Sequence, residues 1–255
     1  VCPIAALIKW FPRHKGLVSG LAVAGFGFGA YLFSMKGWEY GALGFIEKNG
    51  ITRFFLVHAA VCFCGVTLGA MLLRNPPGTP PKIPGESNWQ DTLRRPAFYV
   101  LWLMFFSGAL AGLMVIGIVK VFAGEQLVAA AGAAIDADTR KDLMLRGAAA
   151  VGYLAIFNAL GRIAWGFLSD RIGRTAAFVA MFSFQAVIMF LLAGVKTELS
   201  IAVAACIIGF NFGGNFALFP SATADLFGAQ NLGANYGWVF TSYGIAGVVG
   251  ITAGN

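Results

Sequence analysis

The stretch Gly161–Arg174, GRIAWGFLSDRIGR, decides the fold, because it places a short charged turn between two apolar segments. Each segment is long enough to cross a bilayer, which takes about 20 apolar residues. Gly173 permits a tight turn, and Asp170 can cap a helix or pair with an arginine. Arg171 and Arg174 favour the cytoplasmic face of a membrane. The stretch therefore predicts two membrane-spanning helices joined by a cytoplasmic turn.

The composition supports a membrane protein. Of 255 residues, 58% are hydrophobic and 11% are charged, which leaves too little polar surface to cover a soluble globule of this length. The net charge is +7, but the basic residues occur in short loops between apolar blocks, so we expect no nucleic-acid partner. The four cysteines lack metal-ligand spacing. We expect no metal, no disulfide and no cofactor.

Seven apolar runs predict an all-α polytopic membrane protein with about seven transmembrane helices. The runs are Gly16 to Met35, Phe54 to Leu73, Ala97 to Phe122, Gly147 to Leu168, Ala176 to Val195, Leu199 to Leu226 and Tyr236 to Gly254.

The loops between the runs alternate between two sides, and their charges differ. One set carries nine Lys and Arg against four Asp and Glu, and the other carries seven against seven. The first set includes the Gly161–Arg174 turn and is cytoplasmic by the positive-inside rule.

A proline-rich interruption, Arg74–Pro96, cannot form one continuous helix. It predicts a cytoplasmic linker over residues 74–96 between two helix bundles. Residues 1–73 would then end the N-terminal bundle, and residues 97–255 would form the C-terminal bundle. The alanine-rich stretch Glu125–Arg146 predicts a short helix on the opposite surface.

The turn Gly166–Arg174 resembles the G-x-L-S/A-D-R-x-G-R-R/K signature of major facilitator superfamily transporters, with Thr175 in place of the last basic residue. The resemblance implies two six-helix halves related as parallel repeats, of which this chain would hold helices 5 to 11 of 12. It would be a fragment without helices one to three, most of four, and twelve. The turn's Gly166, Asp170, Arg171, Gly173 and Arg174 would then stabilise one conformational state.

Within that superfamily, the run Lys9–Gly27, KWFPRHKGLVSGLAVAGFG, closely resembles the oxalate/formate antiporter family, and related monocarboxylate transporters carry a similar run. Three further stretches look like the same family: Trp102–Gly117, Asn158–Arg174 and Asn235–Gly244. Together the resemblance spans nearly the whole chain. It implies exchange of small carboxylate anions across the membrane.

Arg162 is the strongest candidate for an anion-binding residue, because a charge at lipid depth is costly unless it faces a wet cavity or a partner. Asn158 lies four residues earlier on the same helical face and could bind the same carboxylate. The alternative is that Arg162 snorkels towards the cytoplasmic interface. The family resemblance implies substrate binding, since antiporter members bind substrate with an arginine eight residues before the motif aspartate.

Three more residues are candidate substrate ligands. The resemblance implies a second basic residue in a T-x-K-G pattern, where this chain has Thr241–Gly244 with Tyr243 in place of the lysine. One cation instead of two favours a monocarboxylate over oxalate. Tyr243 could donate to the anion or serve only in packing. Asn211 and Asn215 place two amides on one helical face, for substrate or for interhelical hydrogen bonding.

We therefore predict a monomeric, multi-pass carrier of the inner membrane that moves small carboxylates by alternating access as an antiporter, without cofactor and without enzymatic chemistry. Its partners would be the anion and the lipid bilayer. A proton-coupled monocarboxylate symporter is the alternative within the class, although no Asp or Glu lies in the predicted helix interiors except near ends, such as Asp225. A membrane sensor or transceptor without transport is the alternative from another class.

Overall fold

The computed structural model describes residues 2–34, 41–77, 86–132 and 135–254, and these ranges are helical with no strand among them. The helices are α1 (Cys2–Trp10), α2 (Lys15–Ser34), α3 (Ala42–Leu72), α4 (Trp89–Arg94), α5 (Pro96–Ala131), α6 (Ala137–Gly147), α7 (Ala149–Ile172), α8 (Arg174–Leu191), α9 (Glu198–Phe227) and α10 (Leu232–Gly254), with a 3₁₀ turn at Leu192–Gly194.

Each of the seven predicted apolar runs coincides with a long helix. Among the described residues, five helical stretches are long and apolar enough to cross a membrane: Gly44–Leu72, Pro96–Ala131, Ala137–Ile172, Arg174–Leu191 and Glu198–Phe227. Helices α2 and α10 fill the other two runs, and α2 contributes the shorter apolar stretch Lys15–Gly25. The prediction of an all-α polytopic membrane protein is confirmed.

Two polar stretches contain short helices. In the predicted linker, Asn88 caps α4 by accepting a hydrogen bond from the backbone N–H of Asp91 at 2.9 Å, while residues 78–85 lie outside the described part. In the stretch predicted to form a surface helix, α5 continues to Ala131 and α6 is separate. Asp136 caps α6, and its bonds from the Thr139 hydroxyl and backbone N–H lower the pKa of the Asp136 carboxyl.

Helix α7 packs between α2 and α9, and α5 packs along α10. An aromatic cluster fills the space between α5, α9 and α10. At its centre the ring of Phe105 stacks on Phe219 with centroids 4.3 Å apart and meets the edge of Phe240 at 5.8 Å. This arrangement places the inward face of α7, which carries Arg162, beside the aromatic cluster.

Candidate functional site

Arg162 lies inside the helix bundle. The residue is only 3% exposed. The Nε atom donates to Oδ1 of Asn158 at 2.9 Å, and NH1 donates to the backbone carbonyl of Val23 in α2 at 2.5 Å. The guanidinium carbon sits 4.5 Å from the ring centroid of Phe216 in α9. The guanidinium therefore points inward between three helices, which argues against snorkelling to the interface.

Glycines on both neighbouring helices allow this close packing around α7. A Cβ atom on Gly20 of α2 would lie 2.1 Å from the carbonyl oxygen of Arg162. A Cβ atom on Gly213 of α9 would lie 2.1 Å from the carbonyl oxygen of Asn158. Neither position can hold a larger residue unless the backbones separate. Small residues at such crossings are how membrane helices approach closely, and here they bring α2 and α9 onto the part of α7 that carries Arg162.

We predict that Gly20→Ala lowers the melting temperature of the protein by several degrees, because the added methyl group meets the Arg162 backbone. Gly25→Ala on the same helix is the matched control, since no atom of the described residues lies within 4 Å of a Cβ atom there. Alanine favours a helix over glycine by about 0.5–1 kcal/mol, so the control should leave the melting temperature unchanged or raise it. Equal melting temperatures for the two variants in detergent would contradict this packing.

Tyr243 lies near Arg162 but behind another ring. The ring of Phe216, which covers the Arg162 guanidinium, meets the edge of Tyr243 with centroids 5.5 Å apart. Tyr243 also stacks on Phe240 at 5.1 Å and is only partly buried. The structure thus gathers Arg162, Asn158 and Tyr243 around one aromatic lining, with Phe216 as a residue that the sequence did not single out.

Asn211 and Asn215 face a different part of the bundle. Both are buried, and they line a small cavity between α5, α8 and α9 together with Gln185. Asn211 and Phe216 are five residues apart, a rotation of roughly 140° around α9, so Asn211 points away from the Arg162 side. Their role as substrate ligands stays a prediction, but their neighbours differ from those of Arg162.

The Asp170 carboxylate receives backbone hydrogen bonds from the start of another helix. Its two oxygens accept from the N–H groups of Gly16 and Leu17 in α2, both at 2.9 Å. Arg174 also forms an ion pair with the Asp170 carboxylate at 2.8 Å. The first N–H groups of a helix have no intrahelical partner and carry partial positive charge, so a carboxylate is the group that best satisfies them. Asp170 thereby ties α2 to the turn between α7 and α8.

A second acidic residue extends this network to α9. The carboxylate of Asp225 pairs with Arg174 at 2.8 Å and with Lys15 at 2.6 Å. Arg174 also donates to the hydroxyl of Ser169. We call the set Lys15, Asp170, Arg174 and Asp225 the motif network. It joins α2, α7, α8 and α9 at one end of the bundle, and the sequence reasoning had not assigned Lys15 or Asp225 to it.

The remaining motif residues shape the turn. Gly173 ends α7 with a φ of +87°, a conformation that disfavours a side chain. Gly166 lies against α2, since its Cβ atom would come 2.3 Å from the carbonyl oxygen of Gly16. The Arg171 guanidinium is 4.1 Å from the ring centroid of Phe167, a cation–π contact outside the motif network.

Comparison with known proteins decides the family. The sequence profile described as Major Facilitator Superfamily matches residues 1–251. The chain belongs to the major facilitator superfamily. This assignment agrees with the motif turn, the helical membrane fold and the absence of strands from the described ranges.

Three relatives illustrate where the chain falls within the superfamily. An uncharacterized MFS-type transporter, YhjX, of Escherichia coli is 29% identical over 94% of this chain and 57% of its own length. The oxalate:formate antiporter of Oxalobacter formigenes is 30% identical over 95% of this chain and 55% of its own length. Apicoplast pyruvate carrier 1 of Toxoplasma gondii is 28% identical over 94% of this chain and 53% of its own length. The chain spans about half the length of the curated relatives it matches.

These relatives are transporters, and nothing in the comparison indicates catalytic activity. Among the described residues, no group of three or more His, Cys, Asp or Glu side chains is placed to hold a metal ion. The two charged features of the described structure that remain as candidate functional sites are the buried Arg162 and the motif network at one end of the bundle.

Proposed function

We propose that the protein is a secondary active transporter that exchanges small carboxylate anions by alternating access, with Arg162 as the main anion-binding charge. The observation that carries the proposal is the position of that charge: Arg162 is only 3% exposed, inside a membrane-spanning bundle. Ionisable residues at such depth are costly and mark substrate or ion pathways. A carboxylate is the ligand that compensates this charge best, because it can accept two parallel hydrogen bonds from a guanidinium.

Two present partners of Arg162, Asn158 and Val23, support a way for an anion to bind there. NH1 donates to Val23, whose carbonyl is a neutral acceptor on a different helix. Hydrogen bonds between two charged groups are shorter and roughly twice as strong as neutral ones. A carboxylate would therefore displace the Val23 carbonyl, while Asn158 on α7 keeps Nε and the guanidinium plane oriented. Binding would loosen a contact between α2 and α7, which is the kind of change that alternating access needs.

The lining favours a small monocarboxylate. Phe216 presents its ring to the Arg162 guanidinium and Tyr243 packs against Phe216, and Tyr243 offers one hydroxyl where the antiporter pattern has lysine. A dicarboxylate would leave its second charge against aromatic rings, at a large desolvation cost. Two relatives carry names that specify small carboxylates, oxalate and formate in one case and pyruvate in the other. For Asn211 and Asn215, which line the cavity with Gln185, we propose a role apart from the Arg162 site in place of the substrate contact predicted from the sequence.

The motif network would hold one conformational state. It joins the start of α2, which we assign to the N-terminal bundle, to α7, α8 and α9 of the C-terminal bundle. Closing this end keeps the Arg162 site accessible only from the other side. By the loop charges the network end is cytoplasmic. We therefore propose a carrier of the inner membrane that works as a monomer, in which breaking the network opens the cytoplasmic side.

Reconstitution of the full-length protein tests the substrate. We expect vesicles loaded with formate or lactate to exchange with the labelled anion, and oxalate to exchange poorly. Tyr243→Lys restores the second cation and should raise oxalate exchange at least several-fold, while the matched Tyr243→Phe should not. Robust oxalate exchange by wild type would contradict the monocarboxylate assignment. Uptake driven by a pH gradient without counter-anion would favour the proton symporter, and failure of every anion to move would favour a transceptor.

A further inference from the structure

The cavity between α5, α8 and α9 is lined by the amide groups of Gln185, Asn211 and Asn215. Within the part of the chain that the structure describes, Gln185 and Asn211 have neither amide oxygen nor amide nitrogen paired, and the Asn215 oxygen is unpaired as well. Asn211 and Asn215 are 2% and 3% exposed. A buried amide without a hydrogen bond is destabilising, so three amides converging on one cavity indicate a ligand there.

The cavity is small and its size is set by glycines of α5. A Cβ atom on Gly108 would lie 2.8 Å from the Asn215 oxygen, and one on Gly112 would enter the Phe212 ring. The space that remains has room for about one water molecule. Any organic ligand, a carboxylate included, is too large for it.

The unpaired donors and acceptors of the three amides indicate which kind of small ligand can bind in the cavity. Three amide oxygens and two amide nitrogens are unpaired, because the Asn215 nitrogen already donates to the Phe212 carbonyl at 3.2 Å. A metal cation would pair only with the oxygens and would face two N–H₂ groups. An anion would leave the three oxygens unpaired. Water both donates and accepts, and a buried water typically makes about three hydrogen bonds.

We propose that Gln185, Asn211 and Asn215 form a binding site for one buried water molecule, which links α8 to α9 on the side of α9 that faces away from Arg162. The water can accept from the Gln185 and Asn211 nitrogens and donate to the Asn215 oxygen and one other, so each of the three amides gains at least one hydrogen bond. It also gives Asn211 and Asn215 a role that is independent of the transported anion, so the proposal holds whatever that anion is.

X-ray hydroxyl-radical footprinting of the full-length protein tests the site, because radicals generated from a bound water modify the side chains beside it. Phe212 lines the cavity and is 6% exposed, whereas Phe227 is 1% exposed and lies elsewhere in the core. We expect Phe212 to be modified several-fold faster than Phe227. Equal, slow modification of both rings would overturn the proposal.

A variant with an apolar cavity provides the control. In the triple variant Gln185→Met, Asn211→Leu, Asn215→Leu, modification of Phe212 should fall to the rate of Phe227, and persistent modification would show that the radicals come from another source. If the triple variant does not fold, Gln185→Met alone should reduce the Phe212 rate, and an unchanged rate would count against the site. Replacing sodium with choline should change neither the rate nor the melting temperature; a sodium-dependent rise in melting temperature would mean a cation instead of water.

Discussion

Replacing Arg162 with Gln is expected to reduce exchange of the labelled carboxylate at least about 100-fold. Glutamine keeps part of the side-chain length and can still donate one hydrogen bond, but it removes the charge that compensates the anion. Hydrogen bonds to charged groups are worth about 1.5–3 kcal/mol each, and a bidentate pair contains two of them, so losing about 3 kcal/mol corresponds to about 100-fold. Initial rates of exchange in proteoliposomes, at equal amounts of folded protein, give the measurement.

Arg140→Gln is the matched control for this substitution. Arg140 pairs with Glu125 at 2.9 Å, and both side chains are about half exposed, so its loss removes one positive charge without touching the bundle interior. Exchange by this control should equal that of wild type. Arg162→Lys separates charge from geometry: lysine keeps the charge but cannot form the planar bidentate contact, so exchange should fall less than with glutamine. Full exchange activity of Arg162→Gln would contradict the proposal that Arg162 binds the substrate.

The sequence could place Arg162 because two local signals coincide there. A single arginine inside an apolar run is costly at lipid depth, and the motif turn eight residues later fixes which helix it occupies. The pairing of Asn158 with Arg162 also follows from helical periodicity, since residues four apart share a face. Both features lie within one helix, so their geometry does not depend on the neighbours.

The residues of other helices that contact Arg162 or join the motif network could not be predicted from the sequence in this way. Val23, Phe216 and Asp225 reach the site or the motif network only through the packing of α2 and α9 against α7. Val23 contributes a backbone carbonyl, which any residue type would provide, and a phenylalanine in a chain with 24 of them carries no signal of its own. The rotation of α9 that turns Asn211 away from Arg162 is likewise set by tertiary packing.

Asp170→Asn is expected to shift the carrier away from the state in which the motif network is closed. The carboxylate accepts from two backbone N–H groups of α2 and pairs with Arg174, and it is only 7% exposed. Asparagine has nearly the same shape, but it has one acceptor oxygen and no charge. Losing even one charged hydrogen bond, about 1.5–3 kcal/mol, changes the ratio of two conformations by about 10- to 100-fold.

Spin labels at His14 and Thr175, which lie before α2 and at the start of α8, can report this shift. The four cysteines would first be replaced, since three of them are exposed. Wild type should show mainly a short distance between the labels, and Asp170→Asn should add a longer population. Asp142→Asn is the control, because Asp142 pairs with Arg146 at an exposed site, where an ion pair is worth little.

Melting temperature and label distances together distinguish a role of Asp170 in holding one conformational state from a role in stability alone. If Asp170 served only to stabilise folding, Asp170→Asn would lower the melting temperature and leave the distance distribution unchanged. If it holds α2 against the turn between α7 and α8, the long population appears, and Arg174→Gln produces it too because Arg174 joins Asp170 to Asp225. The double variant Asp170→Asn, Arg174→Gln should then exceed either single variant by less than the sum of their effects, since both remove the same ion pair.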